Sequence, residues 1–195
     1  MESTDRQFFP VPEIADLPGG MQSLFAKAEA ELGFVPNVFR AYAHRPERFS
    51  SWFSHYRQLN EPTETLSLAD REMIAVVVSN INGCTYCLVS HTHALRVELG
   101  DVVKADQITF NWRHAGLDDR QRAICGYVEK LTKDPATVER CDLEALSAAG
   151  LTDQDIWDVV ELASMYAFTN RMSLAMGHTP NAEYHHHDRA VDTSN

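Results

Sequence analysis

EMIAVVVSNINGCTYCLVSHTH, running from Glu72 to His93, is the stretch that decides the fold. Met73 to Val78 is apolar on nearly every face, and upstream Ser67 with Asp70 three residues on forms a variant of the capping box. Val and Ile also suit a strand, but the cap and the Ala-Asp-Arg-Glu lead predict a helix from Leu68 to about Asn80, central to the molecule. Asn80, Asn82 and Gly83 break it, and a second helix is predicted from Cys84 to about Leu99, stopped by Gly100. The two thiols of the CxxC pair then fall in its first turn. At about 100° per residue, Cys84, Cys87 and His91 lie within roughly 60° of one another on one helix face. A thiol near a helix N-terminus has a depressed pKa, and two cysteines one turn apart can close a disulfide with little backbone movement. Two thiols and an imidazole in one small volume are the equipment of a redox site.

The rest of the chain reads as helices around that pair. Phe8 to Gly20, with Pro10, Pro12, Pro18 and a Gly pair, reads as an extended arm, so residues 1–20 stand outside the domain. Helical spacing follows over Gln22 to Leu32, then in a short helix after Pro36 that carries Val38, Phe39 and Tyr42. Pro46 opens a longer helix whose Phe49, Trp52, Phe53, Tyr56 and Leu59 form an aromatic stripe, read as core or subunit interface rather than a ligand cage. Further helices are predicted over Asp101 to Asn111, Asp118 to Leu131, Cys141 to Ala149 and Thr152 to about Met176. No segment alternates with period two, so the fold class is all-α, a multi-helical bundle over residues 21–184 with a polar tail at 185–195. Ala69 to Ile74 and Asp118 to Ile124 echo one another at the head of two helices, a hint of two related helical halves.

Composition narrows the function. The chain has 195 residues, 44% hydrophobic and 23% charged, which suits one well-buried domain. Its formal charge of -11 argues against nucleic acid or an anionic membrane as partner, because binding phosphate needs clustered Lys and Arg. No basic and apolar leader opens the sequence and no apolar run could span a bilayer, so a cytoplasmic location is expected. Four cysteines in that compartment are not a disulfide framework, and a CxxC there points to catalysis or metal binding.

Glu72, the eleven residues after it, the CxxC of Cys84 and Cys87, and His91 four positions on reproduce a signature that resembles the alkylhydroperoxidase D-like proteins of the carboxymuconolactone decarboxylase superfamily. GFVPNVFRAYAHRPERF (Gly33 to Phe49) and LTDQDIWDVVELASMYAFTNRMS (Leu151 to Ser173) resemble the peroxidase-related branch of that group, so the likeness runs from about Gly33 to Tyr184. It implies an all-helical fold, a homo-oligomer built by helix packing, and reduction of hydroperoxides by thiols that an external dithiol or disulfide-reductase carrier restores. No cofactor and no metal are expected. By the same resemblance Cys87 is the peroxidatic cysteine, Cys84 resolves its sulfenic acid, and His91 and Glu72 move protons. Relatives place a second histidine directly before the second cysteine; this chain has Tyr86 there, a poor base near neutrality.

Two other readings remain from the residues. The non-redox branch acts on carboxymuconolactone without needing paired thiols. Alternatively, Cys84, Cys87 and His91 could hold Zn²⁺ if Glu72 supplied the fourth ligand. His93 falls on another helix face and reads as structural or exposed; Cys125 and Cys141 lack a CxxC partner and read as ordinary core or surface residues. Asn170 and Arg171 are candidates to line a cavity, and His185 to His187 read as part of the solvated tail.

Overall fold

A computed structural model describes residues 12–187 together with Phe9 and Arg189. Among them are ten α-helices and no β-strand, as the missing period-two pattern requires. The helices are α1 (Gly19–Leu32), α2 (Asn37–Tyr42), α3 (Pro46–Leu59), α4 (Leu68–Ile81), α5 (Thr85–Leu99), α6 (Val102–Asn111), α7 (Asp119–Lys133), α8 (Arg140–Ala148), α9 (Asp153–Met176) and α10 (Glu183–His186). Most of the expected arm and tail lies outside the described residues. Within them, Ile14–Asp16 form a 3-10 turn, Leu17 is buried, and α1 starts at Gly19 rather than after the arm. His185 and His186 belong to α10, and the His187 ring lies 6.0 Å from that of Phe34.

α4 is the centre. Nine of its fourteen residues are buried, including all of Met73 to Ser79, and it packs against α5, α6, α7 and α9. Each aliphatic side chain so enclosed contributes on the order of 1.5–3 kcal/mol from burial. Its N-terminus has the expected capping box: Asp70 N–H donates to Ser67 Oγ and Ser67 N–H donates back to Asp70. The echo at Asp118 also caps a helix, α7, and the two starts meet: Arg120 gives Asp70 bonds of 3.0 and 2.9 Å and Gln121 reaches the same carboxylate. A third box, Thr152 with Asp155, opens α9. Arg71, fully buried one residue beyond, donates to the Leu59 carbonyl and to Asp158 of α9 at 2.7 Å. A second, smaller core of Leu17, Met21, Phe25, Val35, Ala43 and Phe49 sits under α1 to α3.

The turn from α4 into α5 delivers the thiols. Gly83, at φ 66°, takes the left-handed conformation; its N–H bonds the Asn80 carbonyl and the Cys84 N–H bonds that of Ser79. This pair of bonds is a Schellman stop. Cys84 is therefore not helical, as the sequence suggested, but the N-cap of α5, with φ −81° and ψ 95°. One residue ends one helix and caps the next, which leaves its side chain little freedom.

Candidate active site

As N-cap, Cys84 Sγ accepts the backbone N–H of Cys87 at 3.4 Å, and its sulfur lies 2.8 Å from Cys87 Sγ. Both are free thiols and both are buried. Cys87 Sγ also reaches Ser173 Oγ of α9 at 3.6 Å. The Cys87 thiol, bonded to Cys84 Sγ, lowers the Cys84 pKa from the ordinary 9.0 to about 7. Burial works against this, and the Cys87 N–H, the nearby His91 and Ser173 add to it. Cys87 moves the other way, pushed up first by sharing its proton with Cys84 and then by burial. Of the two sulfurs, Cys84 is thus the one that ionises more readily.

His91 lies one turn beyond Cys87 on α5. Its Nδ1 is 2.8 Å from Glu72 Oε2, and its ring stands edge-on to Tyr166 at 4.9 Å. The four residues singled out in the sequence thus come together, with Glu72 bound to the imidazole rather than to the sulfurs. Among the described residues no three His, Cys, Asp or Glu side chains are arranged to hold a metal ion.

A cavity of about 420 Å³ opens against this group. Cys87, Ser90, His91 and Tyr86 of α5 line it, with Glu72 of α4, Tyr166, Thr169 and Ser173 of α9, and Tyr184. Its far wall is Val38 and Phe39 of α2 and Trp52, Phe53 and Tyr56 of α3. The stripe read as core or subunit interface packs on the core and also walls the cavity: Phe49 and Leu59 are buried, while Trp52, Phe53 and Tyr56 are partly buried and show their faces to the space. His93, expected on a different face, lines it too, because the cavity wraps around α5 toward Tyr184. Burial pushes Tyr56, Tyr166 and Tyr86 well above the usual phenol range and Tyr184 up to about 12, so all stay neutral.

Four residues that sequence reasoning left without a role, or mentioned only in passing, belong to the site. Asn170 is fully buried, donates to Ser79 Oγ at 3.1 Å, accepts from Asn82 at 3.0 Å and supports Cys87. Arg171 beside it points to solvent and only caps the Ala167 carbonyl. Ser173 bridges Cys87 to His178, whose Nδ1 is 3.2 Å from Ser173 Oγ. Tyr42 has a buried hydroxyl with no hydrogen-bond partner among the described residues, and burial followed by the charges of Cys87 and Cys84 keeps it protonated. None carries a spacing signal toward the CxxC; only its polar character in an apolar helix could have marked Ser173. Cys125 is buried, with its thiol pushed up to about 12 by that burial, and Cys141 is exposed.

The model of the carboxymuconolactone decarboxylase family matches residues 46–129. A solved structure titled as an uncharacterised peroxidase-related protein with an alkylhydroperoxidase AhpD core, from Ralstonia eutropha JMP134, is 35% identical over 97% of this chain and 99% of that one, with a TM-score of 0.91. The chain belongs to the AhpD-like carboxymuconolactone decarboxylase superfamily. An uncharacterised peroxidase-related protein from Silicibacter sp. TM1040 is 39% identical over the same shares, at a TM-score of 0.90. The debrominase Bmp8, solved with 2,3,4-tribromopyrrole, is 15% identical at a TM-score of 0.75, covers 95% of each chain, and shares the fold. No curated protein matches the chain. Membership in this AhpD-like superfamily supports a peroxidase-related or carboxymuconolactone decarboxylase-type function.

Proposed function

We propose that the protein is a dithiol peroxidase that reduces organic hydroperoxides. The observation that carries this reading is Cys87 on the wall of an aromatic cavity, with a second thiol 2.8 Å behind it and the Glu72–His91 pair alongside. Cys84 thiolate accepts the Cys87 proton across the sulfur contact, and the Cys87 sulfur attacks the terminal peroxide oxygen. The O–O bond breaks, Cys87 becomes a sulfenic acid, and the alkoxide leaves as alcohol with a proton from the Glu72–His91 pair. Cys84 then attacks the Cys87 sulfur; the disulfide forms, and the departing hydroxide takes the Cys84 proton to leave as water. One hydroperoxide and two thiols have become one alcohol, one water and one disulfide. An external dithiol carrier returns the two electrons, a cycle suited to the cytoplasm.

The assignment of Cys87 as nucleophile agrees with its access: Cys87 lines the large cavity, whereas Cys84 lines a separate, smaller one. The paired thiols favour this chemistry over lactone decarboxylation, which has no use for them. An apolar wall also favours an organic peroxide over hydrogen peroxide, since a bulky group there removes aromatic surface from water. Stopped-flow oxidation by cumene hydroperoxide and by hydrogen peroxide tests the proposal in wild-type and Cys87→Ser protein. Fast oxidation of wild type by the organic substrate, lost in the variant, is expected; equal rates in the two proteins would refute it. Exposed Phe110, Trp157 and Val103 favour a homo-oligomer, which light scattering of the purified protein reads directly.

A further inference from the structure

We infer that Ser173 and His178 form a second proton exit for the dithiol, leading from the wall of the substrate cavity at Ser173 to the smaller cavity beside His178. The inference rests on the dithiol reading above.

The geometry is a continuous chain of polar atoms. Cys84 Sγ is 2.8 Å from Cys87 Sγ, Cys87 Sγ is 3.6 Å from Ser173 Oγ, and Ser173 Oγ is 3.2 Å from His178 Nδ1. A thiol and a hydroxyl each both donate and accept, so every link can pass a proton onward. Cys84 gives its proton to the Cys87 sulfur, Cys87 gives its own to Ser173 Oγ, and the Ser173 proton goes to His178 Nδ1. Cys84 ends as thiolate, Cys87 and Ser173 keep one proton each, and His178 becomes imidazolium. Charge and protons balance without any other reactant.

Each part of the environment suits this direction. Ser173 is 2% exposed and held on α9, so it cannot swing away to water. His178 follows the left-handed Gly177 that ends α9 and is only partly buried, beside a cavity of about 230 Å³ that also touches Cys84. Burial lowers the His178 pKa, so the ring rests neutral and does not hold a proton taken from Ser173 but releases it toward the small cavity. The titratable groups around it are Tyr42 of α2, with ring centroids 6.0 Å apart, Tyr86 of α5 at 6.2 Å, and Cys84 across the small cavity, which no Asp, Glu, Lys or Arg lines among the described residues. Tyr86 itself cannot serve: its hydroxyl accepts the Val38 N–H at 3.3 Å, and burial holds it protonated. Ser173 touches a reacting sulfur and is the catalytic residue of the pair; His178 acts through it as a positioning residue.

The test is the pH dependence of alkylation of the reduced protein by iodoacetamide, resolved by cysteine with mass spectrometry. It compares wild type with Ser173→Ala, His178→Gln, the double variant and Ser173→Thr. Both single variants should cut Cys84 alkylation at pH 7 about tenfold by moving the titration upward, the double should be no worse than either, and threonine should restore the wild-type profile. Multiplying losses in the double variant, unchanged singles, or no recovery with threonine would each overturn the relay. The readout needs no peroxide. The relay can thus fail while hydroperoxide turnover stands, and it can stand if turnover is absent.

Discussion

Removing the Cys87 thiol should discharge Cys84. The first cause of the low Cys84 pKa is the hydrogen bond from the Cys87 side chain, and without it the midpoint should climb from about 7 toward the ordinary 9.0. The backbone N–H of residue 87 stays in place at 3.4 Å and His91 remains nearby, so part of the depression should survive. A group with a midpoint of 7 is half ionised at pH 7; at 8 it is about 9% ionised and at 9 about 1%. Cys87→Ala should therefore lower the Cys84 thiolate population at pH 7 by about five- to fiftyfold, with no difference above about pH 10. Cys87→Ser keeps a donor and should stay close to the parent. Exposed Cys141 would react in the same assay, so the comparison is made in a Cys141→Ser background, while Cys125, at about 12, stays silent. Thiolate absorbance near 240 nm and alkylation rates both read the titration. A Cys87→Ala profile that still centres on 7 would refute the sulfur–sulfur hydrogen bond as the cause and point to the helix terminus instead.

Three further perturbations follow from named contacts. Glu72→Gln keeps a hydrogen bond to His91 but cannot balance an imidazolium, so kcat for a hydroperoxide should fall about a hundredfold with the circular dichroism unchanged; a wild-type rate would remove Glu72 from the proton path. Acid should destabilise the fold through Glu129, which Arg113 and then Lys133 and Trp112 hold at about 2 despite burial, and through Asp155, where Thr152, Thr63 and Thr65 outweigh burial to the same end. Both are lowered from ordinary values of 4.5 and 3.8, so their stabilisation is complete above those values and is lost as pH falls toward 2. Urea midpoints should drop across that window, and Asp155→Asn should be less stable at pH 7 yet drop less. Arg71→Ala leaves Asp158 and the Leu59 carbonyl without their buried donor and should cost about 3 kcal/mol in urea unfolding; a loss under about 1 kcal/mol would mean water replaces the guanidinium.

Much of the fold was legible because its signals are local. Ser67 with Asp70 and Thr152 with Asp155 mark helix starts within one turn, Gly83 and Gly100 mark stops, and the apolar run of Met73 to Val78 marks the buried centre. The candidate site was legible to the same extent. Glu72 to His91 lies on two successive helices joined by one tight turn, so spacing brings the two thiols, the imidazole and the carboxylate together. The start of α5 was off by one residue because the Schellman turn and the N-cap share Cys84, and helical spacing cannot distinguish a cap from a first turn. The aromatic stripe of α3, read as core or subunit interface, does pack on the two cores; its further role as a cavity wall was not legible, because a large apolar face looks the same whether another helix or an empty space lies opposite.

The sequence by itself determined the helical class, the central α4, and the dithiol with its acid and imidazole, since these depend on contacts a few residues apart. Tertiary structure decided how strongly the two thiols differ in acidity, which one faces the aromatic cavity, and that Ser173 and His178, far along the chain, stand beside the pair. Acidity and access are set by every group within a few ångströms, whatever its distance in sequence. α9 brings Ser173 within reach of Cys87 only because α4 and α5 pack against it.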